Sequence, residues 1–324
     1  MKKFESITPI LLAITTLIAF CSLSSAQTYP TKPIRMIVPS PIGGAAELLI
    51  RPIAERMAEK LGQPVVLDFR PGAGLTIGTA IAAKANPDGY TLLEGIISPL
   101  AINVTLYKLP YDPVKDFAPI SLIARLPAVL VLHPSIPARN LKELIALAKK
   151  HPGKLTYGSA GIGTSGNLFA ELFKIRAGVN ILHVPYKGGG PAIIALLSGE
   201  ISMEISGTAG SMAHIKSGRF RALAVTGAKR TPVLPDVPTM IESGVAVEGT
   251  AWYSVVAPAG TPTLIVNQLR DAVIYAVESP RVRQLLLDQG AVPETSTPEE
   301  LRDLISSEIV KWAEVIRLSG IKSE

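Results

Sequence analysis

The chain has 324 residues, of which 48% are hydrophobic and 18% charged, with a formal net charge of +6. This is globular composition, long enough for one large domain or two medium ones, and it excludes an intrinsically disordered chain. The basic residues are dispersed, without a Lys/Arg block or an aromatic ladder, which argues against nucleic acid as a partner.

Lys2 and Lys3 precede an apolar run from Ile10 to Phe20, and Ser24 and Ala26 form a small-x-small cleavage pattern. Residues 1–26 therefore read as a secretory signal peptide, which sends the mature chain, from Gln27, to the periplasm or beyond. The run is short for a membrane span. Cys21 is the only cysteine and lies inside this segment, so the mature chain has no disulfide. The bulky Phe20 beside it argues against lipidation. Removing Lys2, Lys3 and Glu5 leaves 30 basic against 25 acidic residues, a mild positive field that weakly favours acidic solutes.

The mature chain opens with a short strand over 33–39, the loop Ser40-Pro41-Ile42-Gly43-Gly44, and a helix with Leu48, Leu49, Ile53, Ala54, Met57 and Leu61 on one face. A strand over Val65–Phe69 enters Arg70-Pro71-Gly72-Ala73-Gly74, and an alanine-rich helix follows to Ala85. After the turn at Asn86–Gly89, a third strand, Tyr90–Ile97, leads to Ser98-Pro99. Repeated β-loop-α units imply parallel strands with helices on both faces. Ile120–Ala124 and Ala128–Leu132 read as two strands, and Asn140 with Glu143 caps a helix to Lys150.

The stretch from Leu155 to Phe173 runs strand, glycine-serine loop, helix. It aims backbone N–H groups and the positive end of a helix dipole at one spot, with small side chains that admit an anion. Gly161, Gly163 and Gly166 fit G-x-G-x-x-G, yet the next strand, Ile181–Val184, lacks the acid a dinucleotide site requires. A tight turn that binds nothing is the alternative to an anion cradle. Beyond it, Tyr186-Lys187-Gly188-Gly189-Gly190 forms another loop before a helix at Ala192, and strands follow at Ile201–Ile205, Ala222–Val225 and Trp252–Val256. Tyr186 could pack at the loop base or line a site, and Lys187 is either a phosphate lysine or solvated. Helices over 262–277, 280–288 and 298–318 close the chain, the last with an apolar stripe suited to docking on the fold. The strand-loop-helix units at 40–44 and 158–166 echo one another, so two hinged halves could hold a solute between two helix N-termini.

Several chemistries have no signature. His133, His151, His183 and His214 lack metal-ligand spacing, and neither a P-loop nor a nucleophile elbow occurs. Ser159 and Ser165 have no base nearby in sequence, although a triad assembled from distant residues is defined only by geometry.

The phrases YPTKPIRMIVP, LGQPVVLDFRPGAG, ANPDGYTLL, LAINVTLYKLPYDPVKDFAPI, KLTYGSAGIGTS, HVPYKGGGPA, HIKSGRFRALAVTGAKRTPVLPDVPT and APAGTP span the mature chain. Together they resemble the Bug family of extracytoplasmic solute receptors, the binding proteins of tripartite tricarboxylate transporters. The resemblance implies an α/β two-domain clamshell, a Venus flytrap in which each domain is a mainly parallel sheet flanked by helices. Domain 1 would comprise 27–126 plus 252–324, and domain 2 would comprise 127–251. It implies a receptor and not an enzyme, monomeric and periplasmic, without cofactor or metal, that passes a small organic carboxylate to a membrane permease. Carried over, the ligand-binding residues are Ser40, Pro41, Ile42, Gly43, Gly44, Glu47, Ser98, Ser159, Ala160, Gly163, Thr164, Ser165 and Ser206. The family commonly has an aromatic residue at Ser40, Pro at Ile42, Asp at Glu47, His at Asn167 and an acid at Ser206. These departures imply an altered solute preference. The alternative readings are a sensor that presents its solute to a membrane signalling protein and, behind it, a secreted serine hydrolase using Ser159 or Ser165.

Overall fold

A computed structural model describes residues 29–43 and 45–322. The expected signal segment and Gly44 lie outside the described residues. β1 (Ile34–Val38) pairs in parallel with β2 (Val65–Phe69) and β3 (Thr91–Ile96), as alternation of strands with helices α1 (Ala45–Leu61) and α2 (Thr76–Ala83) requires. Helix α1 buries Leu49, Ile53, Ala54 and Met57, while Leu48 leaves the expected face and is 51% exposed. After β3 the chain does not turn at Ser98-Pro99. It coils through a π-helical turn, Ser98–Ile102, into α3 (Asn103–Leu106), burying Leu100, Ala101 and Ile102.

The two strands expected around Pro127 are one, β4 (Phe117–Leu132). Its first part pairs with β9 (Thr250–Pro258) as far as Pro127, and its second pairs with β7 (Met203–Gly207) from Ala128 onward. Pro127 thus stands where the strand changes partner, a position at which a missing N–H is tolerated. β8 (Arg221–Val225) and β10 (Val292–Pro293) also pair with β4. Beyond β7 come β5 (Thr156–Ser159) and β6 (Leu182–Pro185), both parallel. Each end of the resulting sheet is parallel and β4 and β9 run antiparallel at its centre, in the order β2-β1-β3-β9-β4-β7-β5-β6.

Helices fill the connections: α4 (Leu141–Lys150), α5 (Ser165–Ala177), α6 (Gly189–Ser198), α7 (Thr208–Lys216), α8 (Thr263–Val277), α9 (Pro280–Asp288) and α10 (Pro298–Ser319). Asn140 caps α4, accepting from the Glu143 N–H at 2.9 Å. Thr297 and Glu300 close a capping box at the start of α10. Trp312 of α10 is fully buried, with its ring 5.4 Å from that of Phe169, so the last helix supports α5.

Candidate functional site

Two loops precede helices at the carboxyl ends of β1 and β5. In the first, Ser40 is buried, Pro41 and Gly43 are exposed, and Ile42 is 72% exposed. Gly43 adopts φ 82°, a left-handed conformation suited to glycine. Its N–H donates to Glu47 Oε2 at 2.6 Å, and the same carboxylate pairs with Arg51. The Gly43 bond first, and Arg51 second, hold the Glu47 pKa below the usual range. Glu47 therefore occupies a donor of the loop in which a ligand was expected.

The second loop is built differently. Gly163 is buried with φ 76°, and its N–H donates to Asn167 Oδ1 at 3.1 Å. Asn167 Nδ2 donates to the Tyr157 hydroxyl at 2.8 Å, and that hydroxyl donates to Glu171 Oε1 at 2.6 Å. Lys174 completes the chain with a 2.7 Å ion pair to Glu171. Asn167, Tyr157 and Glu171 are all buried, so each member satisfies a group that would otherwise be costly. Burial first, and the Glu171 charge second, raise the Tyr157 pKa, which keeps the hydroxyl a donor.

Thr164 stands before α5 in extended conformation, and its hydroxyl donates to Gly161 O at 2.7 Å instead of capping the helix. The first-turn N–H groups of α5, on Ser165, Gly166 and Asn167, have no side-chain cap from it. A Cβ at Gly166 would stand 2.5 Å from Ile205 O, so only glycine lets α5 start this close to β7. The loop also touches the first half of the chain. A Cβ at Gly163 would lie 2.8 Å from Leu106 Cδ1 and 3.5 Å from Asn103 Oδ1, and Asn103 Nδ2 donates to Gly74 O at 2.7 Å. Buried Asn103 thus links the loops after β2 and β5, a role that no local pattern announces. Ser98, half-buried, begins the same helical segment.

Ser159 ends β5 and is buried, with Oγ 2.7 Å from His183 Nε2. A base is therefore present that sequence spacing did not reveal, delivered by the parallel pairing of β5 with β6. The same serine donates to Gly161 O at 3.1 Å and accepts from the Gly161 N–H at 3.2 Å. His183 stacks on Tyr157, and burial lowers its pKa, keeping the imidazole neutral. The carboxylate nearest in sequence, Glu171, is engaged by Tyr157 and Lys174. These contacts make Ser159 a turn-closing residue. Ala160 lies half-buried beside it, and its carbonyl accepts from the Gly188 N–H at 3.1 Å.

A cavity of about 230 Å³ opens at the start of α5. Of the expected residues, Ser165 and Ser206 line it, together with Gly166, Tyr253 and an unexpected acid, Glu204. Period-two alternation along β7 puts Glu204 on the same face as Ser206. The expected loss of an acid at Ser206 is thus offset by one two residues earlier. Burial raises the Glu204 carboxyl to about 7, and Oε2 has no hydrogen-bond partner. Among the described residues, no helix is long and apolar enough to cross a membrane, and no group of three His, Cys, Asp or Glu could hold a metal.

Residues 49–321 match the family model described as the tripartite tricarboxylate transporter family receptor. The chain is 40% identical over 301 residues to Protein BugT of Bordetella pertussis, covering 92% of each. It superposes on an R. palustris protein with adipate at TM-score 0.82 and 37% identity, over 91% of this chain and 99% of that one. It also superposes on MatC from Rhodopseudomonas palustris with bound malate at TM-score 0.78 and 32% identity, over 89% and 100%.

Proposed function

Because the chain belongs to the tripartite tricarboxylate transporter receptor family, we propose that it captures a small organic carboxylate between two lobes and delivers it to a membrane permease of that transporter type. The family is one of solute-binding receptors, not enzymes, and the chain has their α/β fold. Our reading places the receptor in the periplasm as a monomer. Its lobes are 27–126 with 252–324, and 127–251, joined through β4 and β9.

The observation that carries this reading is the start of α5. A helix terminus with uncapped N–H groups on Ser165, Gly166 and Asn167 faces small side chains and a cavity. A carboxylate there would take charge-assisted hydrogen bonds and meet the positive end of the helix dipole. The polar chain from Gly163 to Lys174 holds those donors in place before the ligand arrives, which lowers the ordering cost of binding. The solutes named with two relatives, adipate and malate, are carboxylates of the size in question.

Ser165→Pro tests it. Proline is favoured at the first helical position, and Thr164 already has the extended conformation that proline demands of its predecessor, so the fold should survive. One donor is lost, and a charge-assisted bond contributes about 1.5–3 kcal/mol, so carboxylate affinity should fall more than about tenfold. Calorimetry with carboxylic acids and their amides provides the readout. Unchanged affinity in the folded variant, or equal binding of acid and amide, would remove the carboxylate from this helix.

A further inference from the structure

Glu204 is 2% exposed and lines the cavity at the start of α5, yet its Oε2 has no hydrogen-bond partner. No lysine, arginine or histidine lines that cavity, and most of its remaining wall is apolar or glycine, including Leu126, Phe169, Ile193 and Ala251. An acid here lowers stability unless something answers it. The neighbouring polar groups do not: Ser206 lies beside the carboxyl but also contacts Ser211 at 3.2 Å, and Tyr253 stands on the opposite strand pair.

We infer that Glu204 is the specificity-determining residue of this cavity and receives a hydrogen-bond donor, hydroxyl or ammonium, that the solute carries in addition to its carboxylate. The inference rests on the proposed seating of the carboxylate at the α5 N-terminus, which also lines the cavity through Ser165 and Gly166. A solute spanning the two would satisfy the uncapped N–H groups at one end and Oε2 at the other. A plain aliphatic acid would leave Oε2 orphaned. A dicarboxylate would bring a second acid to a wall without a cation. Sites built around a buried polar group reject analogues that lack its partner more strongly than apolar pockets reject a change of size. The cavity, about 230 Å³, lies below the usual range of about 300–1,000 Å³ for ligand pockets, so the solute is small.

Calorimetry on the exported chain, freed of copurified ligand, tests this with matched acids: butyrate, 4-hydroxybutyrate, 4-aminobutyrate and succinate, repeated at three and five carbons. The hydroxy or amino acid should bind at least about tenfold tighter than the plain acid and the diacid, the factor one charge-assisted bond supplies. Glu204→Leu should close that gap through weaker binding of the donor-bearing acid, with the plain acid unchanged. Glu204→Gln, which keeps a polar partner, should retain the hydroxy acid and lose the amino acid if ammonium is the donor in use. Equal or tighter binding of succinate or butyrate by the wild type overturns the inference, as does a gap that survives Glu204→Leu. If no acid binds, the seating at α5 falls and this inference with it. A Glu204-dependent gap that persists undiminished in Ser165→Pro would retain the inference and move the carboxylate elsewhere.

Discussion

The loops after β1 and β5 begin from the same plan, a strand that ends in small residues and starts a helix, but they dispose of their donors in opposite ways. After β1, an exposed carboxylate four residues on accepts from the Gly43 N–H and pairs with Arg51. After β5, the polar side chains within the next helical turns are turned inward, where Asn167 fixes Gly163 and Glu171 fixes Tyr157. The first-turn donors of α5 stay uncapped as a result. A loop that satisfies itself with an exposed acid competes with an anionic ligand. A loop braced from below leaves its upper surface for one. Small residues alone do not make an anion site; what matters is which groups already occupy the N–H donors.

The comparison breaks most sharply at Asn167. Asn167→Leu keeps the volume but leaves the Gly163 N–H and the Tyr157 hydroxyl without their partner inside the protein. Two buried groups at about 1–3 kcal/mol each predict a loss near 4 kcal/mol in urea unfolding, with weaker carboxylate binding. A loss below about 1 kcal/mol would mean that the second loop is not braced by this chain. Glu204 gives the next largest effect. Its carboxyl is raised from 4.5 to about 7, so between those values the unfolded chain has released a proton that the folded one retains. Stability therefore falls as pH rises through that window, by about 3 kcal/mol for this group. Glu94, also buried and raised, acts in the same direction and is present in both proteins. Glu204→Gln should gain on the wild type by roughly that amount between the two ends of the window, measured by unfolding without ligand. A pH-independent difference would show that burial does not hold the proton on.

The strands and helices that place these loops were legible because periodicity and caps are local. Asn140 and Glu143 marked α4, and the stripe through Leu301, Ile305, Trp312 and Ile316 marked α10, all four of its residues buried. Where two local signals conflicted, the reading broke. Pro127 looked like a strand end and is a change of partner within β4. Ser98-Pro99 looked like a turn and opens a π-helical segment whose apolar residues are buried. The site was legible as a backbone motif and opaque as a network. Ser159 meets His183, and Asn103 meets Gly74, across 24 and 29 residues of sequence, distances that only sheet pairing and helix docking close. Glu204 carried a local signal, an acid between Met203 and Ile205 in an apolar strand, and its alternation with Ser206 would have placed both on one face.

The smallest expected effect decides whether the first loop takes part in binding at all. Glu47→Ala removes the acceptor of the Gly43 N–H and the partner of Arg51, both at an exposed position, so thermal stability should change little. What change there is should follow the depressed pKa of Glu47: present above the ordinary glutamate range and lost as pH falls through the folded value. Binding should move the other way. The variant frees a donor and removes a negative charge from the loop, so a carboxylate seated between both loops should bind severalfold more tightly, and less so as salt rises. Arg51→Ala separates the two causes, because it breaks the ion pair while Glu47 can still accept from Gly43. Tighter binding in Glu47→Ala alone assigns the gain to the released N–H. No gain in Glu47→Ala would confine the ligand to the loop after β5, leaving the loop after β1 with a purely structural carboxylate.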